Sequence, residues 1–415
     1  MGDPLKVRVS GPLAGLVPDF REELFRLGYA PGTVTHQLRF IAGLSRWLAD
    51  REMGADGLSE SVVESFLLSW RRTHVNLRTA RALRPFIDFV DAQGIAREHD
   101  APKPLSEADR LLAGFALHLT SERALRPATV RNYLNQAGPF IRWRAERSGE
   151  DFRSLTADEV SGFLLGLAGR QSIGSVSVAA TAIRSLLRWM FMTGMTATRL
   201  DGAAGPVAYS SYSGLPKAIS DTQLQDIRRQ AGDCGAEALR NVALVAVLSR
   251  LGFRSGEAAA LGIDDIDWRA GTITVPGKAG LPALMPLPAD VGAGLADYLR
   301  AGRPATDDRH VFVRALAPHR FMTAGGISQI MTGLGVRAGI SERIGAHRLR
   351  HTAATALMAA GGNLSEASQL LRHADRATTR IYAKVDLQSL RTMVVPWPTA
   401  AVAVSDPASG AQVSW

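Results

Sequence analysis

The first half of the sequence contains one pattern of amphipathic helices twice, and this repeat limits the folds that the chain can adopt. Segment 31–34 (PGTV) corresponds to 127–130 (PATV), and each begins an amphipathic run that ends at a tryptophan, Trp47 or Trp143. The offset of 96 residues grows to 100 further along, as small loop insertions would produce. The repeat predicts two similar helical bundles in tandem.

Other features recur in the same order in both copies: a leucine with a Ser or Thr that can cap a helix, a short amphipathic segment, and a closing glycine. The matched pairs are 58–59 and 155–156, 80–84 and 180–184, and Gly94 and Gly194. Any two amphipathic bundles share some pattern, but the matched order of cap, tryptophan and glycine favours a duplication. We expect about four helices in each copy, residues 1–102 and 103–205.

Cysteine usage and hydropathy exclude several classes of protein. A single cysteine, Cys234, excludes a disulfide framework and any multi-cysteine zinc site. No apolar run in the sequence approaches the roughly 18–20 residues that span a bilayer. The first residues, 1–4, lack a basic-then-apolar signal segment. We therefore expect a folded cytoplasmic protein with no membrane contact, associated with the bacterial nucleoid.

The net charge of the chain is compatible with a nucleic-acid partner. Lys and Arg total 48 against 39 Asp and Glu, a net charge of +9. Residues 1–102 are neutral overall, 103–205 carry +4 and 206–415 carry +5. Nearly all the basic residues are arginines, whose planar fork suits phosphate, although GC-rich coding produces the same bias. A net basic charge is therefore consistent with DNA binding and does not establish it.

A Gly-, Ala- and Ser-rich linker over 202–214 leads into a segment of mixed helices and strands. Short apolar runs at 263–268, 272–275 and 284–287 predict a small antiparallel sheet, with a turn at 277–280. Helical spacing predicts helices near 220–231, 236–251, 289–300, 325–338, 345–360, 364–372 and 376–390.

Three motifs in this third segment carry the strongest functional signal. They are 251–261 (LGFRSGEAAAL), 347–354 (HRLRHTAA) and 370–382 (LLRHADRATTRIY). In order and spacing they closely resemble the tyrosine recombinase (phage integrase) superfamily. That superfamily shows a Gly-Leu-Arg-x-x-Glu segment, a His-x-x-Arg helix and a Leu-Leu-Gly-His segment with the nucleophilic tyrosine nine residues after the histidine. Here Tyr382 follows His373 by nine residues.

The resemblance implies a multidomain, mainly α fold. Two small helical bundles of the core-binding, SAM-like type would precede a mixed α+β catalytic domain over 206–391, with a small antiparallel sheet. The remaining residues, 392–415, are rich in Pro, Ala, Ser and Val, which is typical of a tail. Similar recombinases pass a C-terminal element between subunits, so we expect this tail to dock on a neighbouring protomer.

Six residues of the third segment have the chemistry that cutting DNA without a metal requires: Arg254, Lys278, His347, Arg350, His373 and Tyr382. The candidate nucleophile is Tyr382, which would form a covalent phosphotyrosine and so conserve bond energy for rejoining. Arg254 and Arg350 can each offer paired donors to the non-bridging oxygens of the phosphate. At the turn of the predicted hairpin, Lys278 can protonate the leaving 5′-oxygen. No metal and no cofactor are expected.

The two histidines have separate expected roles. His347 lies three residues before Arg350, on the same helix face, and is the candidate for proton exchange with Tyr382. His373 is the candidate for holding the phosphate. Taken singly, each of the six has an ordinary structural alternative; for Arg254 it is an ion pair with Glu257 on a solvated helix face.

The sequence departs from the superfamily pattern at two places. Arg372 replaces the usual glycine before His373, and residues 255–256 (SG) replace the common Ile-Ser pair after Arg254. A glycine there loosens the helix start by about 0.5–1 kcal/mol relative to alanine. Neither change removes a reacting group, so both bear on subfamily placement and not on the chemistry.

The resemblance implies double-stranded DNA with specific recombination sites as the partner, two chains at each site and four in a synapse. Residues expected to contact DNA are Arg78, Arg81, Arg84, Arg131, Arg184 and Arg188. A partner recombinase or a directionality factor is a further partner of this type of enzyme. The extra N-terminal copy favours a mobile-element integrase or transposase over a shorter resolvase. Two alternatives stay open: a type IB topoisomerase-like nick-and-reseal enzyme, and a non-catalytic DNA-binding accessory protein.

Overall fold

Helices form most of the chain, and a small sheet occurs in its second half. The structure is a computed structural model that describes residues 7–73, 79–95, 105–149, 151–207, 218–276 and 282–372. The chain divides into two compact units. The first comprises 1–213, 304–308 and 314–320, and the second comprises 214–303, 309–313 and 321–415. The predicted multidomain, mainly helical fold with a small sheet is confirmed.

The first copy of the repeat forms four α-helices around its own core. The helices are α1 (Val17–Arg26), α2 (Pro31–Ala49), α3 (Glu60–Thr73) and α4 (Ala80–Ala92). Phe20 and Phe86 are fully buried between α1 and α4, with ring centroids 5.0 Å apart at an edge-on angle of 81°. Such a pair buries a large apolar area, and it places the positive edge of one ring against the negative face of the other.

The second copy also forms four α-helices around a separate core. They are α5 (Glu107–Leu117), α6 (Pro127–Ser148), α7 (Ala157–Ala168) and α8 (Ile173–Met192), with a π-helical turn at His118–Glu122 after α5. The core includes the fully buried Phe115, Phe140 and Ile183. Each copy therefore fills its own interior, as two tandem bundles require.

The repeat is visible in the aromatic contacts of the two copies. Trp47 on α2 lies against Phe66 on α3, with ring centroids 5.8 Å apart. The corresponding Trp143 on α6 lies against Phe163 on α7, at 5.3 Å. In both bundles the tryptophan that ends the amphipathic run therefore packs on the next helix.

The helix ends correspond as well. Pro31 and Pro127 each occupy the first turn of their helix, where the missing N–H costs nothing. Gly94 and Gly194 follow the last helix of each copy with φ of +71° and +70°. This left-handed conformation favours glycine because a Cβ would crowd the neighbouring carbonyl. The closing glycine of each copy is thus a helix stop.

The second unit surrounds a three-stranded antiparallel sheet with helices. Its α-helices are α9 (Asp221–Gly232), α10 (Ala238–Arg250), α11 (Ser255–Ala260), α12 (Ala289–Asp297), α13 (Ala324–Arg337), α14 (Ala346–Ala359) and α15 (Leu364–Leu370). The strands are β1 (Ile266–Asp267), β2 (Thr272–Pro276) and β3 (Pro282–Pro286), in the order β1-β2-β3. Ile273 on β2 lies opposite Met285 on β3, and both are buried. Residues 277–281, between these two strands in the sequence, lie outside the described residues, and Lys278 is one of them.

Two predicted elements of this unit need correction. The strand predicted over 263–268 is wrong in part, because Ile263–Asp265 forms a 3-10 turn and only Ile266–Asp267 pairs with β2. The Asp265 carboxylate holds that turn by accepting the Gly262 N–H at 2.8 Å. The helix predicted over 289–300 is α-helical only to Asp297 and continues as a π-helical turn. The predicted helix at 376–390 lies outside the described residues. None of the described helices has the length and apolar character that crossing a membrane takes.

One buried arginine holds the second bundle together where α6 ends. The Arg144 side chain is 2% exposed and its Nε lies 2.9 Å from the Glu159 carboxylate at the start of α7. Its Nη atoms donate to the carbonyls of Gly149 and Asp151, at 2.9 and 3.3 Å, and to the Ser154 hydroxyl at 3.0 Å. A single guanidinium therefore satisfies the polar groups of the turn between two helices.

We expect Arg144→Ala to destabilise this bundle by roughly 3 kcal/mol, because the Glu159 carboxylate loses a buried ion-pair partner and the carbonyls of Gly149 and Asp151 lose a donor. The measurement is hydrogen exchange of peptides from 127–165, which reports this bundle separately from the other cores. The control is Arg142→Ala on the exposed face of the same helix, which should change exchange by no more than about 0.5 kcal/mol. Equal protection in the two variants would contradict the assigned role of Arg144.

Candidate active site

Arg254 lies in the connection between α10 and α11, directly before the first helical residue. Its backbone N–H donates to Glu257 Oε2 at 2.8 Å, and its Nη1 donates to Glu257 Oε1 at 2.5 Å. Glu257 thus caps the start of α11, which offsets the conformational cost of Gly256 in the first turn. The Arg254 side chain is 44% exposed, so its guanidinium is held at one edge and open to solvent elsewhere.

The ion pair that the sequence offered as an ordinary explanation for Arg254 is present, but it is not on a solvated helix face. Glu257 is only 9% exposed. Burial alone would raise the pKa of its carboxyl. The Arg254 backbone N–H and the charge and hydrogen bond of Arg372 outweigh burial and hold that pKa below its usual value. Glu257 is therefore a carboxylate that holds positive charge in place.

Arg350 is one of the most deeply buried charged side chains of the second unit, 2% exposed on α14. Its Nη1 donates to the carbonyl of Gly252, and its Nη2 donates to the carbonyl of Leu371. Nη1 also lies 3.9 Å from Glu257 Oε2. Because Gly252 belongs to the first motif and Leu371 to the third, Arg350 joins all three motifs through hydrogen bonds.

Arg372, the residue that replaces the usual glycine, adds a third guanidinium to the site. Its side chain is 8% exposed, and its Nη2 donates to Glu257 Oε2 at 2.6 Å. It also donates to the carbonyl of Gly252 at 3.3 Å and lies over the Phe253 ring, with Cζ 5.0 Å from the ring centroid. An arginine where a glycine is usual marks this position in the sequence, but the direction of its side chain is visible only in the fold.

His347 stands one turn before Arg350 on α14, as predicted, and it is exposed. Its ring lies edge-on to that of His351, with centroids 4.5 Å apart. Partial desolvation of the ring, together with the charges of Arg350 and Arg254, lowers the pKa of its imidazole from its ordinary value. The ring is therefore neutral near pH 7 and able to accept a proton.

The structure thus brings together three of the six predicted catalytic residues, Arg254, His347 and Arg350, and adds two that the sequence analysis did not assign to the site, Glu257 and Arg372. The other three, Lys278, His373 and Tyr382, lie outside the described residues. Arg348, between His347 and Arg350 on α14, pairs with Glu342 at 2.5 Å. Among the described residues, no group of three His, Cys, Asp or Glu side chains is placed to hold a metal ion.

Two comparisons of sequence bear on the family. The phage integrase family profile matches residues 217–389, and the profile of the phage integrase N-terminal SAM-like domain matches residues 112–194. The protein y4rA of Sinorhizobium fredii, named as an integrase/recombinase, is 34% identical over 391 residues, which cover 94% of this chain and 95% of the relative. The chain belongs to the phage integrase family of tyrosine recombinases. Members of the family are DNA strand-cleaving and rejoining enzymes.

One further relative in sequence and two solved structures are also similar to this chain. Tyrosine recombinase XerD of Mycobacterium tuberculosis is 30% identical over 68% of this chain and 94% of the relative. Among solved structures, XerH bound to a palindromic difH substrate covers 95% of this chain and 98% of that chain, with a TM-score of 0.52 and 16% identity. A lambda integrase tetramer bound to a Holliday junction covers 74% of this chain and 87% of the integrase chain, with a TM-score of 0.53 and 16% identity. These structures share the fold.

The arginines predicted to contact DNA have varied surroundings in this family member. In the first bundle, Arg84 pairs with Asp88 at 2.7 Å, and both Arg81 and Arg84 line a cavity of about 1000 Å³ that Asp19 also lines. In the second bundle, Arg131 is exposed on α6.

The other two predicted contacts in the second bundle have internal partners. Arg184 donates twice to the carbonyl of Ala204, at 2.9 and 2.7 Å. Arg188 pairs with Asp201 at 3.2 Å, although its side chain is 57% exposed. Arg78 lies outside the described residues. All six remain predictions as DNA contacts.

Removing Arg254 should raise the pKa of His347, because one of the positive charges that disfavour the imidazolium is lost. The measurement is an NMR titration of the His347 ring, assigned by its disappearance in His347→Gln. Wild-type His347 should titrate below about 6.5, and Arg254→Ala should move the midpoint to higher pH. Arg309→Ala, which removes an exposed arginine paired with Asp264, is the control and should leave the midpoint in place. An unchanged or lower midpoint in Arg254→Ala would contradict the electrostatic account.

Proposed function

We propose that this protein is a site-specific DNA recombinase that cuts and rejoins duplex DNA through a 3′-phosphotyrosine at Tyr382, without metal or ATP. The observation that carries the proposal is the cluster of preplaced guanidiniums: Arg254 and Arg350 share the Glu257 carboxylate beside a neutral His347. Phosphoryl transfer depends mainly on positioning and on stabilising charge in the transition state, and fixed arginines supply both.

Each residue has one task in the proposed cleavage step. The Tyr382 oxygen attacks phosphorus and gives its proton to the neutral His347, while the bond to the 5′-oxygen breaks and Lys278 protonates that oxygen. Arg254, with 44% of its side chain exposed, meets the charge that develops on the non-bridging oxygens. Arg350 acts from a buried position, where its charge is screened less by solvent. His373 holds the phosphate. Attack by a free 5′-hydroxyl on the phosphotyrosine reverses the step and rejoins the strand.

We propose four functional parts for the chain: bundles over 1–102 and 103–205 that clamp DNA, a catalytic domain over 206–391, and a tail over 392–415 exchanged between protomers. The two separate bundle cores support the first two parts. Two chains would bind each site and four would form the synapse, in keeping with the lambda integrase tetramer on a Holliday junction. The y4rA relative matches over both bundles, which supports a mobile-element integrase or transposase.

We expect Tyr382→Phe to bind DNA as the wild type does and to form no covalent intermediate, because only the nucleophilic oxygen is lost. Target duplexes would first be selected from a randomised library by their binding to the protein. Each selected duplex would then be nicked at successive positions. Cleavage next to a nick releases a short fragment that diffuses away, so the covalent intermediate cannot be rejoined. Mass spectrometry of the wild-type reaction should find a 3′-phosphotyrosyl peptide containing Tyr382, in buffer with excess EDTA.

The same experiment separates the alternatives. An adduct in Tyr382→Phe would exclude Tyr382 as the nucleophile, and an adduct formed equally on any sequence would indicate a topoisomerase-like enzyme. No adduct from the wild-type protein would indicate a non-catalytic DNA-binding protein. Strict dependence on magnesium would contradict the metal-free mechanism.

A further inference from the structure

Arg372 holds a backbone conformation that its side chain disfavours. Its φ is +50°, in the left-handed region that residues with a Cβ rarely adopt. A glycine would adopt this φ without strain. The chain nevertheless has an arginine here, at a cost in backbone energy. Strained residues of this kind occur chiefly where the surrounding structure fixes them, often at functional sites. The contacts of the side chain show what fixes it here.

The Arg372 guanidinium connects four parts of the second unit. It donates to Glu257 Oε2 at 2.6 Å on α11 and to the carbonyl of Gly252 at 3.3 Å before α11. A third contact is to the sulfur of Met285 on β3, the strand that follows Lys278 in the hairpin. The fourth is to the carbonyl of Leu370 at 2.9 Å, at the end of α15. One side chain thus contacts the segment around Arg254, the strand after Lys278 and the end of the helix before His373.

Glu257 links Arg372 to Arg254. The two guanidiniums bind different oxygens of the same carboxylate, Arg254 on Oε1 at 2.5 Å and Arg372 on Oε2 at 2.6 Å. A carboxylate with both oxygens engaged by charged donors has little rotational freedom. The orientation of Arg254 therefore depends on the donor at the other oxygen.

We propose that Arg372 is a positioning residue for DNA cleavage: through Glu257 it fixes the orientation of Arg254. This inference rests on the proposed strand-cleaving function. It assigns Arg372 no contact with DNA, because its side chain is 8% exposed and its Nη2 faces Glu257. Arg254, which is 44% exposed, faces the substrate instead.

The test compares Arg372→Gly, Arg372→Met and Arg372→Lys in the full chain, with single-turnover formation of the phosphotyrosyl adduct as the readout. We expect Gly and Met each to slow the adduct 10–100-fold, as small misplacements of catalytic groups do. Lysine keeps a cation beside Glu257, so Arg372→Lys should form the adduct at least severalfold faster than Arg372→Met. DNA affinity should stay near wild type. The melting temperature should fall less in Arg372→Gly than in Arg372→Met, since glycine suits a φ of +50°. Arg309→Met, which breaks an exposed ion pair with Asp264, is the matched control and should react as the wild type does.

A neutral substrate tests whether Arg372 acts through Arg254. On a duplex with methylphosphonate at the scissile position, the loss of a cation that faces the phosphate costs less, because less charge develops there. The defect of Arg254→Ala should shrink on this duplex, and the defect of Arg372→Gly should shrink with it, because Arg372 acts through Arg254.

Wild-type rates for Arg372→Gly and Arg372→Met on the ordinary duplex would overturn the proposal, and so would a defect of Arg372→Gly that stays undiminished on the neutral duplex. A wild-type protein that forms no adduct on any duplex would instead refute the proposed strand-cleaving function, so the two failures are distinct.

Discussion

The candidate site depends on one buried carboxylate. Glu257 accepts the Arg254 backbone N–H, the Arg254 side chain and the Arg372 side chain, and it lies 3.9 Å from Arg350. Three guanidiniums in a partly buried space would repel one another and lose hydration without a negative partner. Because the carboxylate also caps α11, the same group that balances the charges fixes the helix on which Arg254 is placed.

This arrangement explains how a site made of cations can be assembled before DNA arrives. Arg350 is held by the carbonyls of Gly252 and Leu371, and Arg372 shares the first of these carbonyls. The cationic side chains are therefore ordered by the protein itself, so little reorganisation is left for the reaction step. Partial desolvation of the ring and the charges of Arg350 and Arg254 lower the pKa of the His347 imidazole, which keeps a proton acceptor neutral near pH 7.

Much of this structure could be predicted from the sequence where the signal is local. The caps, tryptophans and closing glycines of the repeat lie where periodicity places them, and the His347–Arg350 spacing gives the expected helix. Two site residues were not predictable because their role depends on tertiary packing. From the sequence, Glu257 is an ordinary surface partner of Arg254, and only the fold shows that it is buried. From the sequence, Arg372 is a substitution without chemical consequence, and only the fold shows its side chain bound to Glu257. The strand at 263–268 was overestimated because an aspartate side chain stabilises a turn there.

The central claim is that Arg372 and Arg254 act together through Glu257. The most direct measurement is a double-mutant cycle on adduct formation, with Glu257→Gln, Arg372→Gly and the two combined. If Glu257 transmits the effect of Arg372, the combined variant should react no more slowly than the slower single variant. Independent, multiplied losses in the combined variant would contradict the account.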